Sequence, residues 1–174
     1  MNRKLYAPEL IFSAVAAISL LICVIGCVVP EGSQVGDNAP DFTLSTLGGG
    51  QIKLADLEGQ PVIITFWTTG CSACIYQMPF LQEAYVEIGN TVQFIAIDIQ
   101  QDSYSIQSFM DSYQTIYDFN ITIALDSDGT VSEDYNIIFT PTNVVIDSQG
   151  IIRHIRKGAF TDTADIIATL SDVD

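Results

Sequence analysis

The chain has 174 residues, with 21 acids against 6 lysines and arginines and a single histidine, for a net charge of −15. That length holds one domain with a sizeable core plus an appendage, and the negative charge argues against nucleic acid or anionic lipid headgroups as partners. Two of the four cysteines fall in an N-terminal apolar run, so only Cys71, Cys74 and His154 remain as soft ligands, too few for a four-ligand zinc site.

Residues 1–29 begin with Arg3 and Lys4 and continue as an apolar run from Leu10 to Val29. The run is long enough to span a bilayer, and a basic start with an apolar middle equally fits a secretory signal. Basic residues ahead of it, with Glu31 and Asp37 behind, place the remainder outside the cytoplasmic membrane. Val24-Ile25-Gly26-Cys27 resembles a bacterial lipobox, which makes Cys27 a candidate lipidation site. In the other reading the run is an uncleaved anchor helix, and Cys23 and Cys27 are ordinary apolar residues. Both tether the domain to the membrane. Residues 30–38, with Gly32, Ser33 and Gly36, form a short linker, and 39–174 is the folded domain.

Ala39–Leu44 and Gln51–Leu54 flank Gly48-Gly49-Gly50 and read as a β-hairpin; 54–61 is a turn. Val62–Phe66 is a continuous apolar, β-branched run, hence a buried strand. Cys74, Met78, Leu81, Tyr85 and Ile88 then recur at steps of three and four, one face of an amphipathic helix. Phe66-Trp67-Thr68-Thr69-Gly70-Cys71-Ser72-Ala73-Cys74 joins the two, with Cys71 at or just before the first turn and Cys74 one turn in. Unpaired N–H groups and the helix dipole favour a thiolate at Cys71. A residue three further on faces it and can attack a mixed disulfide formed there. Cys71 is therefore the nucleophile and Cys74 the resolving thiol.

Val92–Ile97 is a second core strand, and Asp102 or Ser103 caps a helix reaching Tyr113. Ile121–Leu125 is a short strand. Asp126-Ser127-Asp128-Gly129 is a turn, because an EF-hand loop needs a later glycine and a closing glutamate. Asn143–Ile146 and Ile151–Ile155 form a last hairpin around 147–150, and Thr161 or Asp162 caps a helix ending near Val173. Strands alternating with helices predict a mixed α/β sheet covered on both faces.

Four motifs carry a resemblance: Pro40-Asp41-Phe42-Thr43-Leu44; Phe66-Trp67 leading to Cys71 and Cys74; Met78-Pro79; and Tyr135-Asn136-Ile137 running into Thr140-Pro141-Thr142. From Ala39 onward the chain resembles the TlpA/ResA-type, membrane-tethered thiol–disulfide oxidoreductases of the thioredoxin superfamily. The resemblance implies an α/β thioredoxin fold, a central mixed β-sheet flanked by helices with an added N-terminal β-hairpin. It also implies a cis peptide before Pro141, with Thr140 and Pro141 beside the cysteines, and a helix kinked at Pro79. Trp67 reads as a packing wall beside the disulfide. The implied activity is reduction of disulfides in secreted proteins such as apocytochrome c, with re-reduction by a membrane electron donor. No cofactor is implied beyond the Cys71–Cys74 pair itself.

The chain also departs from its relatives. Gly70 stands where they carry tryptophan, and Ser72-Ala73 lacks the proline common between the cysteines. Ile75 and Gln77 replace a basic and an acidic residue, and Thr65 replaces the buried aspartate of cytosolic thioredoxins. Asp98 and Gln101 fall near where some relatives place a carboxylate; Asp98 is either a solvated strand-end acid or a proton acceptor for Cys74. His154 reads as an exposed or satisfied histidine. Arg153, Arg156 and Lys157 are half of the bases but too few for a binding patch.

Three other functions compete. A peroxiredoxin-like peroxidase wants a proline where Ile64 stands and a different cysteine spacing. A copper-delivery domain wants three residues between the cysteines and a late metal-binding histidine. A redox-silent interaction domain would keep the fold without turnover.

Overall fold

The computed structural model describes residues 32–114 and 118–173. The signal or anchor stretch 1–29, with Cys27, lies outside them. The elements are β1 (Thr43–Thr46), β2 (Gln51–Lys53), β3 (Val62–Trp67), α1 (Ser72–Ile88), β4 (Gln93–Ile99), α2 (Ser103–Gln114), β5 (Thr122–Asp126), α3 (Thr130–Asp134), β6 (Thr142–Ile146), β7 (Ile152–Lys157) and α4 (Thr163–Ser171). The strands form one sheet in the order β2-β1-β5-β4-β3-β6-β7. β3, β4 and β5 run parallel, while the β1–β2 and β6–β7 hairpins join antiparallel on either side. This is the mixed sheet with an N-terminal hairpin that the resemblance implies.

Parallel neighbours need a crossover. Both crossovers, through α1 and through α2, step the same way along the sheet. Right-handed connections therefore bring both helices to one face. There Ile63, Trp67, Phe94, Ala96 and Val145 meet Cys74, Met78, Leu81 and Ala84 of α1, Ile106 and Met110 of α2, and Ile166 and Leu170 of α4. The opposite face presents Ile64, Phe66, Ile95, Ile97 and Val144 and is closed by Phe42, Leu54, Val131 and Tyr135. Those four come from the hairpin approach, a single 3-10 turn at Leu54–Leu57 and the short α3. With both faces covered, all six residues of β3 are buried, so the strand reads as a near-continuous apolar run interrupted at Thr65.

α3 has no counterpart in the sequence reading, which ends that region in a turn. At five residues it is too short to show a helical period. The buried Asp126 carboxylate organises it by accepting from the Val131 and Ser132 amides at 3.1 and 2.8 Å. The stretch read as a linker is also built in: Gly36 donates to the Ile152 carbonyl at 2.8 Å, and the Ile152 amide to Asp37 at 3.0 Å. Asn38 bridges to Ile151. Asp162 caps α4 by accepting from the Asp165 amide at 2.8 Å, a bond of the kind that stabilises a helix by about 1 kcal/mol.

Candidate active site

β3 ends at Trp67, and Thr68-Thr69-Gly70 carries the chain into α1. Cys71 is the N-cap of that helix, with extended backbone at φ −90° and ψ 102°. Its sulfur sits where a serine or aspartate oxygen usually does, accepting from the Cys74 amide at 3.1 Å. Because that amide belongs to the unpaired first turn, it favours negative charge on Cys71. Cys71 and Cys74 are joined in a disulfide, with Cα atoms 5.2 Å apart. Cys74 is fully buried, whereas Cys71 is partly exposed, so an incoming thiolate meets Cys71 first. Space beside Gly70 is open, since a Cβ there would meet nothing within 4 Å.

Trp67 is fully buried beneath this turn, its ring 5.7 Å from that of Phe109 on α2. The Thr140–Pro141 peptide is cis. β6 pairs with β3 with Thr142 opposite Phe66, which puts the two preceding residues at the sheet end where Trp67 leads out to the cysteines. Pro79 lies within α1. Arg153 and Arg156 are tied up in ion pairs with Asp147 (2.6 Å) and Asp165 (2.8 Å), and His154 is half-buried on β7.

Sequence reasoning names Thr65 and Gln77 as departures but does not foresee that they meet. The Thr65 hydroxyl donates to Asn143 Oδ1 at 2.7 Å, and the Gln77 and Asn143 amides exchange two hydrogen bonds at 3.2 Å. Gln77 Oε1 accepts further from the Phe160 amide, and Asn143 Nδ2 donates to the Gly158 carbonyl, both at 3.1 Å. All three side chains are buried and none can ionise. They form a neutral, mutually satisfied network behind the disulfide.

Asp98 is a buried carboxylate, 1 % exposed, which overturns the solvated strand-end reading. It sits in register with Trp67 on β3 and Leu125 on β5 and shares the alternation of Phe94 and Ala96, hence the face that carries Cys74. Neither oxygen has a hydrogen bond of good geometry. Burial pushes its pKa up to about 7; the nearby Gln101 main-chain N–H offsets a little of this, and the like charge of Asp126 adds to it. Gln101 has a second role that the sequence does not announce. Its side-chain amide clasps Thr69, accepting from the Thr69 N–H at 2.7 Å and donating to the hydroxyl at 2.8 Å.

The AhpC/TSA family profile matches residues 35–155, well over half of the chain. The chain belongs to the AhpC/TSA family. Among the relatives of this AhpC/TSA protein is the thioredoxin-like protein YneN of Bacillus subtilis, 32 % identical over 75 % of each chain. The thiol-disulfide oxidoreductase ResA of Bacillus thuringiensis is 28 % identical over 92 % of this chain and 91 % of its own. A secreted Mycobacterium tuberculosis disulfide oxidoreductase, homologous to DsbE of E. coli, superposes with a TM-score of 0.65 at 26 % identity. The match covers 75 % of this chain and 95 % of that one. This AhpC/TSA protein has the thioredoxin fold and is a thiol–disulfide oxidoreductase of the ResA type, with Cys71–Cys74 as its CxxC pair.

Proposed function

We propose that the protein reduces disulfides of exported polypeptides, apocytochrome c before haem attachment among them, while its N-terminal segment tethers it outside the cytoplasmic membrane. Cys71 thiolate attacks the substrate disulfide, forming a mixed disulfide and expelling one substrate thiolate. Cys74 then loses its proton and attacks Cys71 Sγ, closing the Cys71–Cys74 disulfide and releasing the second substrate thiolate. Two electrons pass from the cysteine pair to the substrate, and a membrane electron donor restores the dithiol. No further cofactor is needed, because the two sulfurs hold the electrons. The substrate chain lies beside Thr140 and Pro141, while Trp67 packs beneath the disulfide as a buried wall. Asp98 takes the proton from Cys74 and returns it to the departing thiolate. Its pKa of about 7 lies between those of an ordinary carboxylate and an ordinary thiol.

The observation that carries this reading is the cysteine geometry: a partly exposed cysteine at a helix N-cap with a fully buried one a turn behind it. The test is the reduction potential of the Cys71–Cys74 couple, by equilibration against glutathione or dithiothreitol. A value near or below thioredoxin's roughly −270 mV supports a reductant. A value near DsbA's roughly −120 mV turns the direction to oxidation, and the absence of a reversible couple removes the enzymatic reading.

A further inference from the structure

Gln101 touches two things that are far apart in sequence. Its side-chain amide holds Thr69, two residues before Cys71, through both a donated and an accepted hydrogen bond. Its main-chain N–H faces Asp98 at the end of β4. The loop Thr68–Gly70 is otherwise lightly fixed, with the Cys71 amide donating to the Thr68 carbonyl at 3.2 Å. Asp98 lies in register with Trp67 and Leu125 on the face of the sheet that α1 and α2 cover, yet neither oxygen has a hydrogen bond of good geometry.

We propose that Gln101 is a positioning residue that locks the loop before Cys71 down over Asp98, so that the protonation of Asp98 and the charge on the active-site sulfurs respond to one another. With the clamp closed, water is kept from an unpaired carboxyl group, and such a group holds its proton. A thiolate formed at Cys71 adds negative charge nearby and holds that proton more firmly. Released from the clamp, the loop lets water reach Asp98, which then ionises as an ordinary carboxylate. The other titratable groups around Asp98 do not supply this link. Asp126 on β5 is committed to the Val131 and Ser132 amides, Asp102 at the entry to α2 is exposed and bonded to Ser105, and the core on that face holds Cys74 and Tyr85 of α1 and Tyr113 of α2, of which only Cys74 is a thiol of the active site. This inference deepens the thiol–disulfide reading and rests on it for its purpose, though not for its measurement.

The test follows the Asp98 carboxyl carbon by NMR across a pH titration, its resonance assigned with Asp98→Asn, in the oxidised and the reduced full-length protein. Gln101→Ala is expected to lower the Asp98 midpoint by about one pH unit or more toward the ordinary carboxylate value. Thr69→Ala keeps the Thr69 N–H bond while losing the hydroxyl bond, so it lowers the midpoint less. In the wild type the midpoint is higher in the reduced than in the oxidised protein, and Gln101→Ala narrows that gap. Equal Asp98 midpoints in the wild type and Gln101→Ala would overturn the proposal, as would a lowered midpoint with the gap between redox states unchanged. The potential measured on the same samples judges the catalytic reading separately. A protein with no reversible couple loses that reading, while the oxidised-state titration still decides the clamp.

Discussion

Replacing Asp98 by asparagine keeps the shape of the side chain and removes its proton equilibrium, so the variant isolates what that equilibrium does to folding. In the native protein the carboxyl pKa is raised from 3.8 to about 7. Below about pH 4 both folded and unfolded chains carry the proton, and Asp98 contributes no pH-dependent difference. Between about pH 4 and pH 7 the folded chain binds more protons than the unfolded one, so the stability from this group is lost as pH rises. Above about pH 7 the loss is complete. Roughly three pKa units at 1.36 kcal/mol each make it about 4 kcal/mol. Asp98→Asn adds a fixed offset from its buried amide but no slope. The stability of the variant relative to wild type therefore climbs by up to about 4 kcal/mol from pH 4 to pH 8. Urea unfolding of the disulfide-bonded forms at a series of pH values measures it, provided the m-values match. Carboxylates other than Asp126, whose charge acts on Asp98, cancel in the difference. A difference flat within about 1 kcal/mol across that range, or one falling with pH, would refute the assignment of Asp98 as a carboxyl kept protonated by burial.

Cys74→Ser leaves the partly exposed Cys71 able to attack but removes the thiol that releases the product. A stable mixed disulfide with a model substrate is expected by non-reducing mass spectrometry, and turnover in its presence would move the resolving role elsewhere. Asn143→Leu strands the Thr65 hydroxyl and the Gln77 amide in the core and is expected to cost about 3 kcal/mol by chemical denaturation. A loss under about 1 kcal/mol would mean that this network does not hold α1 to β6. Asp126→Ala frees the Val131 and Ser132 amides and should cost about 2 kcal/mol, measured the same way.

What the sequence discloses is what is local. The Cys71–Cys74 spacing, the apolar run of β3 and the helical period from Cys74 to Ile88 all lie within a few turns of chain, and the structure reproduces them. So do the caps of α2 and α4, where Asp102 and Asp162 accept from amides three residues on. The features that stay hidden depend on distant partners. Gln77 looks like a surface residue on α1 until Asn143, 66 positions later, comes to meet it. Asp98 reads as a strand-end acid because nothing nearby in sequence says that Trp67 and Leu125 come to lie beside it in a sheet face covered by helices. The Gln101–Thr69 clasp spans 32 positions. Residues 32–38 have a linker's composition, yet Gly36 and Asp37 hydrogen-bond to Ile152, more than a hundred residues away.

The course of residues 32–38 bears on how the molecule behaves in a crowd. An open sheet has two edges, and each is a template on which another chain can add a strand and begin to aggregate. Here one edge is β2, only three residues long. The other is β7, met at Ile152 by Gly36 and Asp37 and at Ile151 by Asn38. Farther along, β7 carries Arg153, Arg156 and Lys157, half of the basic residues in an otherwise acidic chain. Short length at one edge and a covering segment at the other thus keep copies of this domain apart even where many are held close together.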